Sequence, residues 1–267
     1  MKVILITGAS GGIGEALTNR LAKKKQNLLL VARNASKLDL QCKQLSEKFG
    51  INAQFIAADL AKPHAAAHVF AETQQRGMEI EMLINNAGIG SGGEFSKINL
   101  QSELELLQLN ILSLVALTHL FLPQMQQRKS GTIINVASMT AFMPVPYMAT
   151  YAASKVFVRS FTEAIAQECT PYNIHIMLFC PGLTKTNFNR AAGIENEKAK
   201  GLSADYNSAS LQTPEQVADE LLKALDKRKP FAVSGRTNRL GVKILALIPN
   251  SLIARNMALS YRKKLKM

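Results

Sequence analysis

The chain is poor in several things that would place it in a particular protein class. Its three cysteines, Cys42, Cys169 and Cys180, show no paired spacing. That argues against a disulfide framework or a cysteine metal site, and for free thiols in a reducing compartment. No metal site is expected. No run of eighteen apolar residues is evident, so no spanning helix is expected. An apolar strand pattern begins at Lys2 and leaves no room for a leader, so a cytoplasmic protein is expected. Internal repeats and low-complexity stretches are missing, which argues against solenoid architectures. Acidic residues are scarce in one region only. Residues 223–267 hold 12 Lys and Arg against one carboxylate, Asp226, whereas residues 1–222 hold 20 basic and 18 acidic residues. The net charge of +13 therefore belongs to a polybasic C-terminal segment, not to the body of the chain.

Strands alternate with helices throughout. Short apolar runs predict strands at 2–7, 27–32, 52–57, 81–85, 131–137, 173–179 and 230–233. Amphipathic patterns predict helices at 13–25, 36–49, 63–76, 100–129, 148–170 and 214–227. Several strands are continuously apolar, as strands covered by helices on both faces are. The expected fold is α/β, a doubly wound (Rossmann) parallel sheet of about seven strands. A single domain over residues 1–235 would carry a basic, amphipathic helical tail over 236–267.

The first strand runs into Thr7-Gly8-Ala9-Ser10-Gly11-Gly12-Ile13-Gly14 and then a helix. A strand, a glycine turn and a helix N-terminus present backbone N–H groups and a favourable dipole to a phosphate, and missing side chains let it approach. A tight turn that only needs positive φ is the plainer alternative. Further along, Tyr151 and Lys155 are four residues apart, on one face of a helix. An ammonium near a phenol would lower its pKa and make it usable for proton transfer.

With these motifs together, the chain resembles the short-chain dehydrogenase/reductase family over about residues 1–235. Thr7 to Gly14 matches the family's glycine motif and Asn85-Asn86-Ala87-Gly88 its Asn-Asn-Ala-Gly. Asn110, Ser138, Tyr151 and Lys155 match its catalytic set, and Pro181-Gly182-Leu183-Thr184-Lys185-Thr186 its Pro-Gly segment. The resemblance implies that Gly8, Ser10, Gly12, Ile13, Gly14, Asp59, Asn86, Gly88, Pro181, Gly182, Thr184 and Thr186, with Tyr151 and Lys155, contact a nicotinamide dinucleotide. Asp59 would face the adenine, with a helix N-cap as its alternative role, and the Asn pair could chiefly tie strands together. At the second strand's end Ala32 replaces the carboxylate that holds a free ribose hydroxyl, and Arg33 follows. A guanidinium there would pair with a 2′-phosphate, so NADP(H) is preferred and NAD(H) allowed. If Arg33 is merely solvated, both would bind.

The resemblance further implies that Tyr151 is the general acid or base. Lys155 would lower its pKa and bond the nicotinamide ribose, Ser138 would donate to the substrate oxygen, and Asn110 would hold a water linking Lys155 to solvent. The reaction would interconvert a carbonyl and an alcohol. Phe142 to Met148 and a segment from Asn187 to Gln212 suggest a hydrophobic substrate (ketone, aldehyde, acyl or steroid-like), although generic packing would read the same. The helix over Leu104 to Leu122 is apolar on more than one side, as a helix packed against two partners is, and the resemblance implies that it and the helix bearing Tyr151 form the interface of a homodimer or homotetramer. A catalytically weak cofactor-binding regulatory protein or membrane-tethered scaffold is the alternative function. In the tail, Ile253, Ala254, Met257, Ala258, Tyr261 and Leu265 share one side of a helix, beside Arg255, Arg262, Lys263 and Lys266. That pattern suggests an interfacial helix on an anionic membrane, hence peripheral attachment. A tail docked on a partner subunit or a flexible end are the other readings, and no nucleic-acid module is recognisable.

Overall fold

The computed structural model describes residues 1–186, 188 and 210–265. Seven parallel strands form one sheet in the order β3-β2-β1-β4-β5-β6-β7. They are β1 (Lys2–Thr7), β2 (Leu28–Ala32), β3 (Ala53–Ala57), β4 (Glu79–Asn85), β5 (Gly131–Val136), β6 (Ile174–Cys180) and β7 (Phe231–Val233). β1, β2 and β6 are almost wholly buried because helices cover both faces of the sheet. One face carries α1 (Gly12–Lys23), α2 (Ala35–Phe49) and α7 (Pro214–Asp226), whose Leu17, Leu38, Val217 and Leu221 pack with Ile4, Ile6 and Leu30. The opposite face carries α3 (Ala65–Gln75), α4 (Leu100–Leu107), α5 (Ser113–Gln127) and α6 (Ala149–Glu168), with Val69, Leu117, Phe121 and Ile165 against Val3, Leu5 and Ile133. After β3 the chain crosses back to place β4 on the free side of β1. The crevice between the carboxyl ends of β1 and β4 is where a doubly wound sheet binds ligands.

Two expectations about the helices change. The continuous helix Leu100–Gln127 reaches a mean hydropathy of 1.7 over eighteen residues, long and apolar enough to cross a bilayer. Its inner face (Leu106, Leu114, Leu117, Phe121, Met125) is sunk in the core, and Glu103, Asn110 and Ser113 are buried along it. This is a core helix that is apolar on two sides. It also contains a π-helical turn, Gln108–Leu112, which the amphipathic pattern did not signal.

The tail forms α8 (Arg236–Leu245) and α9 (Asn250–Leu265). The predicted stripe on α9 does not face outward. Ile253 is buried, Ala254, Met257, Ala258 and Tyr261 are half-buried, and the Tyr261 ring meets the Tyr147 ring edge-on at 6.1 Å. The stripe docks on the protein. The start of α8 is equally integral: buried Asn238 donates to Ser234 O at 2.8 Å and lies against Gly182, where a Cβ would collide with its amide. Leu202 and Tyr206 of the expected substrate segment lie outside the described residues.

Candidate active site

Every predicted contact falls on the edge of the sheet formed by the strands' carboxyl ends. After β1, Gly8 (φ 65°) and Gly12 (φ 54°) take the left-handed conformation that a side chain resists. Gly8 lies against Ala87, where a Cβ would sit 2.9 Å from its Cα. Gly14 packs under the Gly8 carbonyl and 2.7 Å, from its Cβ position, to Asn86 Nδ2. Gly11 caps α1 without a side-chain bond and has open space before it. Ser10 and Ile13 stand half-buried on the same loop.

The loop is clamped to β4 by Thr7, whose Oγ1 donates to Ile84 O (3.3 Å) and accepts from Asn86 N (3.0 Å) and Ala87 N (2.9 Å). Asn86 Nδ2 donates back to Thr7 O at 2.9 Å. Asn85 Nδ2 reaches Thr118 Oγ1 (3.2 Å) and Asn135 Oδ1 (2.9 Å), so the Asn pair does tie strands together. Arg33 is exposed at the end of β2 and Asp59 half-buried beyond β3. Asp59 Oδ1 accepts from Ala61 N at 3.1 Å, closing a local turn, whereas the N-cap of α3 is His64.

Ser138 follows β5 in extended conformation, and its Oγ accepts from Thr140 N at 3.2 Å. Tyr151, Ala152, Ser154, Lys155, Val158 and Thr162 form the buried face of α6, so the phenol and the ammonium sit side by side against the sheet edge. Lys155 Nζ donates to Val136 O (3.1 Å), lies 6.0 Å from the Tyr151 ring centre, and closely approaches Gly88, 3.4 Å from where a Cβ would stand. Asn110, on the π turn, is pinned on three sides. Its Oδ1 accepts from Ile89 N (3.0 Å), and its Nδ2 donates to Ile89 O (2.9 Å) and to Ser154 Oγ (3.1 Å). Ser154 Oγ in turn donates to Tyr151 O at 2.7 Å.

The Tyr151 phenol stands above its ordinary value here, not below it as the nearness of Lys155 suggested. Burial raises the phenol above its ordinary value, opposed by the Ser138 and then the Thr140 hydroxyl. Burial also pulls Lys155 down to about 8. Cys180, behind Ser138, is pushed up to about 12 by burial and stays a thiol.

The Pro181 turn closes the site. Met139 N donates to Pro181 O (3.0 Å) and Gly182 N to Ser234 Oγ (3.1 Å), while Thr184 Oγ1 donates to Gly182 O (3.0 Å). Thr186 reaches across to the glycine loop, its Cγ2 3.1 Å from a Cβ on Gly12, and its Oγ1 accepts from Phe188 N at 3.2 Å. The Phe188 ring lies 5.4 Å from that of Tyr151. Phe188 belongs to the expected substrate segment, whereas Ser154 was not singled out in the sequence and Thr7 only as the first residue of the glycine motif. Thr7 opens the glycine motif and Ser154 sits inside the Tyr-Lys motif, so their positions were visible but not their bonds.

Comparison with known proteins agrees with this geometry. Residues 2–197 match the short chain dehydrogenase family model, and the chain belongs to that family. Among curated relatives it is 31% identical over 228 residues to the ketoacyl reductase HetN of a Nostoc strain, covering 85% of this chain and 76% of that one. It is 30% identical to an NADP-dependent 3-hydroxy acid dehydrogenase of Schizosaccharomyces pombe, covering 87% and 90%. Three longer relatives are matched over only 52, 56 and 60% of their length. A short-chain dehydrogenase from Sphingobium yanoikuyae, solved with NADPH, superposes with a TM-score of 0.79 at 28% identity over 92% and 95% of the two chains. The protein is thus an oxidoreductase with a nicotinamide-binding Rossmann fold. The turn at Gly8–Gly14 and the uncapped start of α1 fit a dinucleotide pyrophosphate, with Thr186 against Gly12 and Lys155 against Gly88.

Proposed function

We propose that this chain uses NADP(H) to interconvert a hydrophobic ketone or aldehyde and its alcohol, with Tyr151, Ser138 and Lys155 at the reacting carbonyl. The observation that carries the reading is the hydrogen bond between the Ser138 hydroxyl and the Tyr151 phenol, with Lys155 Nζ 6.0 Å from that ring and against Gly88. A bound nicotinamide supplies or accepts the hydride. Tyr151 hands its phenolic proton to the carbonyl oxygen while the Ser138 hydroxyl donates to the same oxygen as charge builds. The protonated phenol is the donor that carbonyl reduction needs. Lys155 contributes a cation beside the ribose position, and Asn110 fixes the Gly88–Ile89 backbone against which Lys155 packs. Proton replacement through a water on Asn110 fits its place beside Ser154.

Ala32 and the exposed Arg33, which has no ion pair among the described residues, support NADP(H) over NAD(H), since a guanidinium meets a 2′-phosphate and no carboxylate repels it. Asp59 would border the adenine. Phe188, whose ring lies 5.4 Å from that of Tyr151, supports an apolar substrate, whereas Phe142 packs on Phe231 and Tyr147 on Tyr261; the NADP- and acyl-related names of the relatives agree with both choices. Exposed Leu104, Leu112, Val156 and Phe157 on the α4–α5 helix and α6 support a homo-oligomer. The test is NADPH consumption, followed by its absorbance, with medium-chain ketones, aldehydes, 3-oxoacyl thioesters and sterols, repeated with NADH. Turnover with NADPH and a hydrophobic carbonyl is expected. Binding of NADPH without turnover of any carbonyl would overturn the reading.

A further inference from the structure

The polybasic segment presents a two-part surface on the side of the molecule formed by α7, β7 and α8. On α8, Asn238, Val242 and Leu245 face the protein, while Leu240 and Ile244 share an outward strip, exposed by 61% and 50%. The turn that follows projects Leu247, exposed by 85%, and Ile248. Arg236, Arg239 and Lys243 run beside that strip on the same helix. Next to it lies a groove of about 580 Å³ floored by Ala224, Phe231, Val233 and Val242 and rimmed by Lys223, Lys227, Lys229, Arg236 and Lys243. None of these five cations forms an ion pair among the described residues. The one carboxylate in the groove, Glu220, is committed to Arg239 Nη1 (2.8 Å), Gly235 N (3.0 Å) and Gln212 Nε2 (3.0 Å).

We propose that this face docks on the surface of an anionic phospholipid bilayer, with Leu240, Ile244, Leu247 and Ile248 entering the interface and the groove cations meeting lipid phosphates. The proposal is independent of the redox reading. It also differs from the stripe suggested by the sequence, which is spent on docking α9. Charge selects the occupant. A second copy would bring five more unpaired cations against these five, whereas an anionic bilayer answers both the apolar strip and the cationic rim. Each cation near such a surface adds about a fivefold gain in partitioning, from roughly 1 kcal/mol per basic residue.

The test is co-sedimentation of the full chain with vesicles of phosphatidylcholine alone or with one third phosphatidylserine. Binding is expected on the anionic vesicles and should weaken by at least about tenfold on the neutral ones. Lys223→Gln/Lys227→Gln/Lys243→Gln should lower anionic binding on the order of a hundredfold. Ile244→Glu/Leu247→Glu should abolish it, with circular dichroism and NADPH binding unchanged in both variants. Several results would overturn the proposal. They are no sedimentation with either vesicle, equal binding to both that ignores the lysine changes, and a dimer dispersed by the Ile244/Leu247 variant without vesicle binding. Binding to soluble polyglutamate as tight as to vesicles and indifferent to Leu247 would also overturn it and point to an acidic protein.

Discussion

Replacing Lys155 with methionine should stabilise the protein in the absence of cofactor while removing its activity. The ammonium is buried, and burial holds its pKa near 8, against 10.5 ordinarily. Below about pH 8 the lysine is charged in both folded and unfolded chains, so the folded state carries the whole penalty, on the order of 3 kcal/mol. As pH rises from 8 towards 10.5 the unfolded chain binds more protons than the folded one, and stability climbs until the penalty is gone. Methionine fills similar volume without charge but abandons the bond to Val136 O, a loss of about 1–2 kcal/mol. The net gain at pH 7 is about 1–2 kcal/mol, or roughly 2–4 °C in Tm for a chain of this size. The advantage should shrink through pH 8–10 and reverse above it. Calorimetric melting of both proteins at pH 7, 9 and 10.5 measures this. A variant that melts lower at pH 7, or a difference that does not change with pH, would refute the reasoning.

Arg33→Ala should weaken NADPH binding by about ten- to a hundredfold, the worth of a charge-assisted contact, and leave NADH binding within about twofold, as fluorescence titration would show. Gly14→Ala forces a Cβ against the Gly8 carbonyl and Asn86. It should cost about 1–3 kcal/mol and lose cofactor binding, and an unchanged melt with normal affinity would count against the clamped loop. Asn238→Ala removes the bond to Ser234 O and should lower Tm by about 2–4 °C with cofactor affinity retained.

Much of the fold was legible because its signals are local. Continuous runs such as Leu28–Ala32 and Ile174–Cys180 announce strands covered on both faces, and their observed bounds lie within two residues of those predicted. β4 begins earlier than expected, at Glu79, because Glu79 and Glu81 interrupt its apolar run. The motifs also placed Tyr151, Lys155 and Ser138, since helical spacing and strand ends fix which residues share an edge. What spacing could not supply is depth. Nearness to Lys155 suggested a lowered phenol pKa, whereas burial, invisible in four residues of sequence, dominates. The same limit explains α9: periodicity identified Ile253, Met257 and Tyr261 as one stripe but not that the protein itself covers it. The π turn at Asn110 leaves the helical periodicity nearly intact and so had no signature.

The most direct test of the central claim is Tyr151→Phe, which removes the phenolic proton and leaves the ring beside Phe188 and Lys155. With a substrate found in the screen, kcat/KM should fall by about a hundredfold or more. NADPH affinity should stay within about twofold of the parent, because no cofactor-loop contact is altered. A variant that keeps more than about a tenth of the parent turnover would show that the proton comes from elsewhere.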